Sequence, residues 1–109
     1  MKLVLAIIHD EDAFHVMDLL NENGYSVTKL ASTGGFLRSG NTTLITGVDD
    51  KQVQSVCDII EKTCKSRKLM SAASTPHIST SEGYIPYPIE VTVGGATVFI
   101  LEVDQFKKV

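Results

Sequence analysis

The chain contains no run of roughly 18 apolar residues, so nothing in it has the length of a membrane-spanning helix. No cluster of Lys or Arg exceeds an adjacent pair and the net charge is −3, a balance that argues against a nucleic-acid partner. Cysteines are scarce: Cys57 and Cys64 alone. Seven residues apart in a stretch with helical spacing, they lie about 10.5 Å apart along an axis. Cα atoms joined by a disulfide sit roughly 4.4–6.8 Å apart, so these two do not bridge and read as small buried hydrophobes of a reducing compartment. The opening Met1-Lys2-Leu3-Val4-Leu5-Ala6-Ile7-Ile8 lacks a small-residue cleavage site and runs straight into His9-Asp10-Glu11-Asp12. It reads as a first strand rather than a signal peptide, and a cytoplasmic protein is expected.

The signatures of catalysis are missing too. His9, His15 and His77 fall on different elements with no His-x-x-x-His spacing, and each reads as a surface or loop-edge residue. Ser32 and Ser39 have no histidine placed to activate them, and the acids gather at helix starts, where capping and the helix dipole account for them. There is no Walker-type or G-x-G-x-x-G element, since Gly34-Gly35 follows a strand but leads to another strand. A non-enzyme without metal or cofactor is expected.

What is present is a single domain of 109 residues, 43% hydrophobic and 21% charged, long enough to bury a core. The apolar run at 2–9 predicts a central strand. Asp10 is placed to cap the helix that follows, and Ala13, Val16, Met17 and Leu20 mark one helical face that Gly24 closes. Residues 25–32 and 42–48 read as strands on either side of a glycine loop at 33–41. Asp49 or Asp50 opens a second helix with the face Val53, Val56, Cys57, Ile60 and Cys64. The Ser- and Thr-rich stretch 66–83 has no clear period and reads as a long flexible loop. Strands at 89–93 and 96–103 flank Gly94-Gly95, a two-residue hairpin signal. The order predicts an α+β protein, a ferredoxin-like βαββαβ sandwich with an extra C-terminal hairpin strand.

Two helices cover one face of such a sheet, yet the first strand is apolar on both: Leu3, Leu5 and Ile7 against Val4, Ala6 and Ile8. The last strand repeats this, with Val98 and Ile100 opposite Phe99 and Leu101. The uncovered face predicts an oligomer in which another copy supplies the cover.

The loop Thr33-Gly34-Gly35-Phe36-Leu37-Arg38-Ser39-Gly40-Asn41 is the strongest functional signal. Its glycines let backbone N–H groups approach a ligand, Phe36 offers a stacking surface, and Leu37 walls a pocket. Asn41 carries both donor and acceptor atoms for a base edge. Half of a nucleotide site fits these residues, and so does packing of Phe36 and Leu37 against a neighbouring subunit. The residues alone leave both open.

Three stretches carry a family resemblance: Thr28-Lys29-Leu30-Ala31 with the glycine loop through Thr43, Tyr84-Ile85-Pro86-Tyr87-Pro88, and Val93-Gly94-Gly95-Ala96-Thr97-Val98-Phe99. Together they closely resemble the PII-like cyclic-di-AMP receptor family, over essentially the whole chain. The resemblance implies a homotrimer of ferredoxin-like subunits with one cyclic-di-AMP in each cleft between neighbours, signalling to an unidentified downstream protein. Like members of that family, the chain has a short loop after its second strand and a long one after its second helix. Carried over by position, the ligand-binding residues are Thr28, Gly35, Phe36, Leu37, Asn41, Gly47 and Phe99, with Arg38 and Lys108 as second-tier contacts. Gly24 and Ser26 stand where the family has Asn and Arg, and Lys108 stands where it has Gln. Loss of the Arg–adenine contact predicts binding weaker by roughly 2- to 30-fold. The rival readings are a PII-type regulator of another nucleotide such as ATP, and a diverged interaction module with no nucleotide ligand.

Overall fold

The computed structural model describes residues 1–30, 40–72 and 88–109. Strand β1, Lys2–His9, alternates half-buried and buried positions along its length. It passes directly into helix α1, Asp10–Glu22, whose first turn carries Asp10, Glu11 and Asp12 at the positive end of the helix dipole. The residue at the cap position is His9, without a side-chain cap hydrogen bond, and not Asp10 as the sequence suggests. Asp10 is inside the helix, and its own N–H is satisfied by the carbonyl of Gly40 at 2.8 Å.

The far end of α1 closes as expected. Gly24 has φ +84°, its N–H donates to Asn21 O at 3.0 Å, and the N–H of Tyr25 donates to Leu20 O at 2.9 Å. These paired bonds are the Schellman arrangement, and Tyr25 packs against the core that holds Leu20.

Strand β2 is short, Thr28–Leu30, where a longer strand was expected; residues 31 and 32 lie outside the described residues. Strand β3 is Asn41–Val48. A 3₁₀ turn, Asp50–Gln52, leads into helix α2, Val53–Cys64. Strands β4 (Arg67–Ala72), β5 (Pro88–Val93) and β6 (Ala96–Glu102) complete the described chain.

The main sheet runs β2-β3-β1-β6 with every neighbour antiparallel. With both helices on one face, this arrangement is compatible with a ferredoxin-like sandwich. Val4, Ala6, Ile8, Leu44 and Val48 from the sheet meet Ala13, Val16, Leu20, Val56, Ile60 and Cys64 from the helices to form the core. Fully burying one such aliphatic side chain contributes about 1.5–3 kcal/mol.

Two expectations fail in the C-terminal half. The stretch 66–83 is not wholly irregular, because Arg67–Ala72 forms β4 and pairs antiparallel with β5 from Arg67↔Val93 to Ala72↔Pro88. Gly94-Gly95 does not make a hairpin either. β5 belongs to the separate two-stranded sheet while β6 joins the edge of β1, so the glycines carry the chain from one sheet to the other. The extra structure is thus a two-strand ribbon inserted between α2 and β6, not one C-terminal hairpin strand. The physical reason lies at the end of α2. The N–H of Gly95 donates to the free carbonyl of Cys64, one of the groups a helix terminus leaves unpaired. That contact holds Gly94-Gly95 against the helix and separates the two strands.

Candidate functional site

Alternation along the strands sorts the site residues before any ligand is invoked. In β1, Val4, Ala6 and Ile8 are buried under the helices, so Leu3, Leu5 and Ile7 occupy the opposite face. The register then builds rows across that face. Thr28 pairs with Ile45, Ile45 with Leu5, and Leu5 with Phe99. The next row is Gly47, Leu3 and Leu101. Asn41, opposite His9 at the end of the β1–β3 ladder, is on the same face by the same alternation.

Four of the residues expected to bind ligand therefore share the helix-free face of the sheet: Thr28, Asn41, Gly47 and Phe99. They do not form a single cluster. With strands about 4.8 Å apart, Phe99 and Thr28 are separated by three intervals, about 14 Å. Phe99 is on one edge strand and Thr28 on the other. Phe99 is 51% exposed and Leu101 45%, a large apolar exposure for an edge strand. Gly47 is exposed, and a Cβ built on it meets nothing within 4 Å. Lys108 is exposed in the tail that follows β6. Gly35, Phe36, Leu37 and Arg38 lie outside the described residues.

The departures at Gly24 and Ser26 have local readings. Gly24 needs a left-handed backbone (φ +84°), and Gly and Asn are the residues that tolerate it best, so exchanging one for the other keeps the helix end intact. Ser26 enters the fold through its main chain, since its carbonyl accepts a hydrogen bond from Thr46 Oγ1. Lys29, beside Thr28 but turned to the helix side, has its Nζ 5.6 Å from the centre of the Phe14 ring.

Sequence reasoning missed two residues next to the site. Asp10 binds on both sides of Asn41: its N–H donates to Gly40 O, and its carboxylate accepts from Thr42 Oγ1. Thr42 is 4% exposed and on the helix face, where its hydroxyl needs such a partner. The available signal was an acid directly after an apolar strand, which helix capping explained too readily.

A concavity lies on the other side of the sheet. Between α2 and β6 is a cavity of about 450 Å³ lined by Cys57, Ile60, Cys64, Val98 and Ile100 among others, and among the described residues none of those expected to bind ligand lines it. Its thiols are held protonated: burial pushes Cys64 up to about 11, and burial with nearby Asp58 and Glu61 raises Cys57. Neither has the depressed pKa of a nucleophile. His9 is half-buried and His15 exposed. Among the described residues no group of His, Cys, Asp or Glu is arranged to hold a metal ion, and no helix is long and apolar enough to cross a membrane.

The family model for the cyclic-di-AMP receptor matches residues 1–109, the full length of the sequence. The chain belongs to the cyclic-di-AMP receptor family. A solved structure of a protein of unknown function from Pediococcus pentosaceus ATCC 25745 is similar, at 42% identity and a TM-score of 0.77, covering 99% of this chain and 96% of that one.

Proposed function

We propose that the chain is a non-enzymatic cytoplasmic sensor that binds cyclic-di-AMP in clefts between the subunits of a homotrimer and relays occupancy by loop ordering to a partner protein. The single observation that carries this reading is the membership of residues 1–109 in a cyclic-di-AMP receptor family. The geometry supports the shared cleft. Thr28 and Phe99 sit on opposite edges of one sheet, about 14 Å apart, so a ligand contacting both types of residue closely draws them from neighbouring copies. The apolar row Ile45, Leu5 and Phe99 supplies the surface that the copies bury against one another.

In this reading Phe36 and Leu37 hold an adenine, Thr28 and Asn41 hydrogen-bond it, and Gly35 and Gly47 give backbone approach. Arg38 and Lys108 stand near the phosphates, and Phe99 closes the cleft. Stacking of a base on an aromatic ring contributes about 1–3 kcal/mol, so Phe36→Ala weakens binding at least severalfold. Calorimetric titration with cyclic-di-AMP, run beside ATP and other nucleotides on protein shown by sedimentation to be trimeric, tests the whole. Saturable heat with cyclic-di-AMP alone is expected. A response to ATP instead favours the PII-type regulator, and no response to any nucleotide at millimolar concentration leaves the diverged interaction module.

A further inference from the structure

We infer that Asp10 is a positioning residue that fixes Asn41, and with it the exit of the glycine loop, in the orientation that meets the nucleotide. This rests on the function proposed above. It does not follow from the family motifs, which place Asn41 at the ligand and are silent on Asp10.

The geometry is a clasp. The carbonyl of Gly40 accepts from the main-chain N–H of Asp10 at 2.8 Å, and the hydroxyl of Thr42 donates to Asp10 Oδ1. One residue thereby grips the chain immediately before and immediately after Asn41. The first bond uses a helix N–H that has no partner within the helix, so the start of α1 is finished by the loop exit instead of by a side-chain cap. The second uses a hydroxyl buried beneath the sheet. Gly40 itself has φ +92°, which aims its carbonyl back at the helix and disfavours any other residue there.

The clasp also sets direction. Strand alternation puts Thr42 on the helix face and Asn41 on the open face, so holding Thr42 down against Asp10 turns Asn41 outward. The pairing of Asn41 with His9, the residue just before Asp10, keeps both ends of the clasp in one register. With Asp10 reduced to Ala, the main-chain bond to Gly40 persists but Thr42 loses its acceptor, and the chain on the far side of Asn41 loses one of the contacts that set its orientation.

The test compares Asp10→Ala and Thr42→Val with Asp10→Asn and Thr42→Ser, which keep an acceptor and a donor. Affinity for cyclic-di-AMP is read by calorimetry, stability by thermal melting, and exchange of the Asn41 and Thr42 amides by hydrogen–deuterium exchange without ligand. The expected result is a loss of about 5- to 30-fold in affinity for Asp10→Ala and Thr42→Val. Faster exchange at Asn41 should accompany it, with recovery to near wild type in Asp10→Asn and Thr42→Ser. The double variant Asp10→Ala/Thr42→Val should bind about as weakly as either single one, because both remove the same bond. If Asp10→Ala fails to fold, Thr42→Val against Thr42→Ser decides alone. Wild-type protein that binds, with Thr42→Val binding equally well, overturns the role of Asp10 and leaves the sensor intact. Folded wild type that shows no binding at all overturns the sensor and this inference together.

Discussion

Arg67 and Asp12, 55 residues apart in the chain, meet at 3.0 Å between guanidinium Nη2 and carboxylate Oδ1. The pair joins the first residue of β4 to the first turn of α1, so the ribbon is fastened to the body at its base. Arg67 also donates through Nη1 to the carbonyl of Lys65 at 3.2 Å. Asp12 is the more buried partner, with its side chain 8% exposed against 40% for Arg67. Its bond to Asp12 raises the Arg67 pKa further, so the guanidinium stays charged.

Removing the cation should therefore cost more than removing the pair. Arg67→Met leaves a carboxylate in a nearly dry site whose Oδ2 has no hydrogen-bond partner among the described residues. Its thermal midpoint should fall by several degrees. Arg67→Met combined with Asp12→Asn should recover part of that loss, because an uncharged amide tolerates the site better. A double variant that melts lower than Arg67→Met would show that the charge at Asp12 is stabilised by something other than Arg67.

The glycine pair after β5 yields a comparison within one dipeptide. A Cβ on Gly94 would come within 2.6 Å of Arg67 Nη1, 2.8 Å of Lys65 O and 3.0 Å of Cys64 O, while one on Gly95 meets nothing within 4 Å. Both have positive φ, +83° and +93°. Gly95→Ala should cost about 1–2 kcal/mol for the left-handed backbone alone. Gly94→Ala should cost that plus about 1–3 kcal/mol of overpacking, since two of its three neighbours are main chain. Urea midpoints of the two variants check the order, and equal losses would mean that the end of α2 yields to make room.

Cys64 sets a limit on alkaline stability. The folded chain holds its thiol proton up to about pH 11, higher than the unfolded chain does. Stability is at its full level below about pH 9 and falls as the pH rises toward 11, by at most about 1.4 kcal/mol per pH unit. Cys57, raised in the same direction, adds to the slope. Urea unfolding at intervals through that range should show the decline, and Cys64→Val should make it shallower.

The periods of the sequence carried most of the main sheet and both helices. The unbroken apolar run of residues 3–8 marks β1, and Val56, Ile60 and Cys64 recur at helical spacing in α2, so those elements were legible from run length and helical period. β4 was hidden because Arg67, Lys68 and Ser71 break any apolar alternation, and a strand held by pairing to one partner needs none. Gly94-Gly95 misled for a related reason. Positive φ is required both by a tight hairpin and by a chain crossing a helix end, and only the Cys64 carbonyl distinguishes them. The site was half legible. Motif position named Thr28, Asn41, Gly47 and Phe99, but their common face follows from register, which no local signal encodes.

Gly47 separates a ligand role from a structural one most cleanly. It is exposed in β3, its φ is not positive, and an added Cβ touches nothing among the described residues. A strand-interior glycine is normally a liability of about 0.5–1 kcal/mol relative to Ala, so Gly47→Ala should leave the melting temperature of the unliganded protein unchanged or slightly higher. If the proposed trimeric sensor is right, affinity for cyclic-di-AMP should move the other way, because the added methyl group would then meet the ligand or the neighbouring copy. Sedimentation distinguishes those two: a trimer that persists with weakened binding puts the base or ribose against Gly47. A trimer that dissociates puts the partner subunit there. Unchanged affinity in an intact trimer would remove Gly47 from the site.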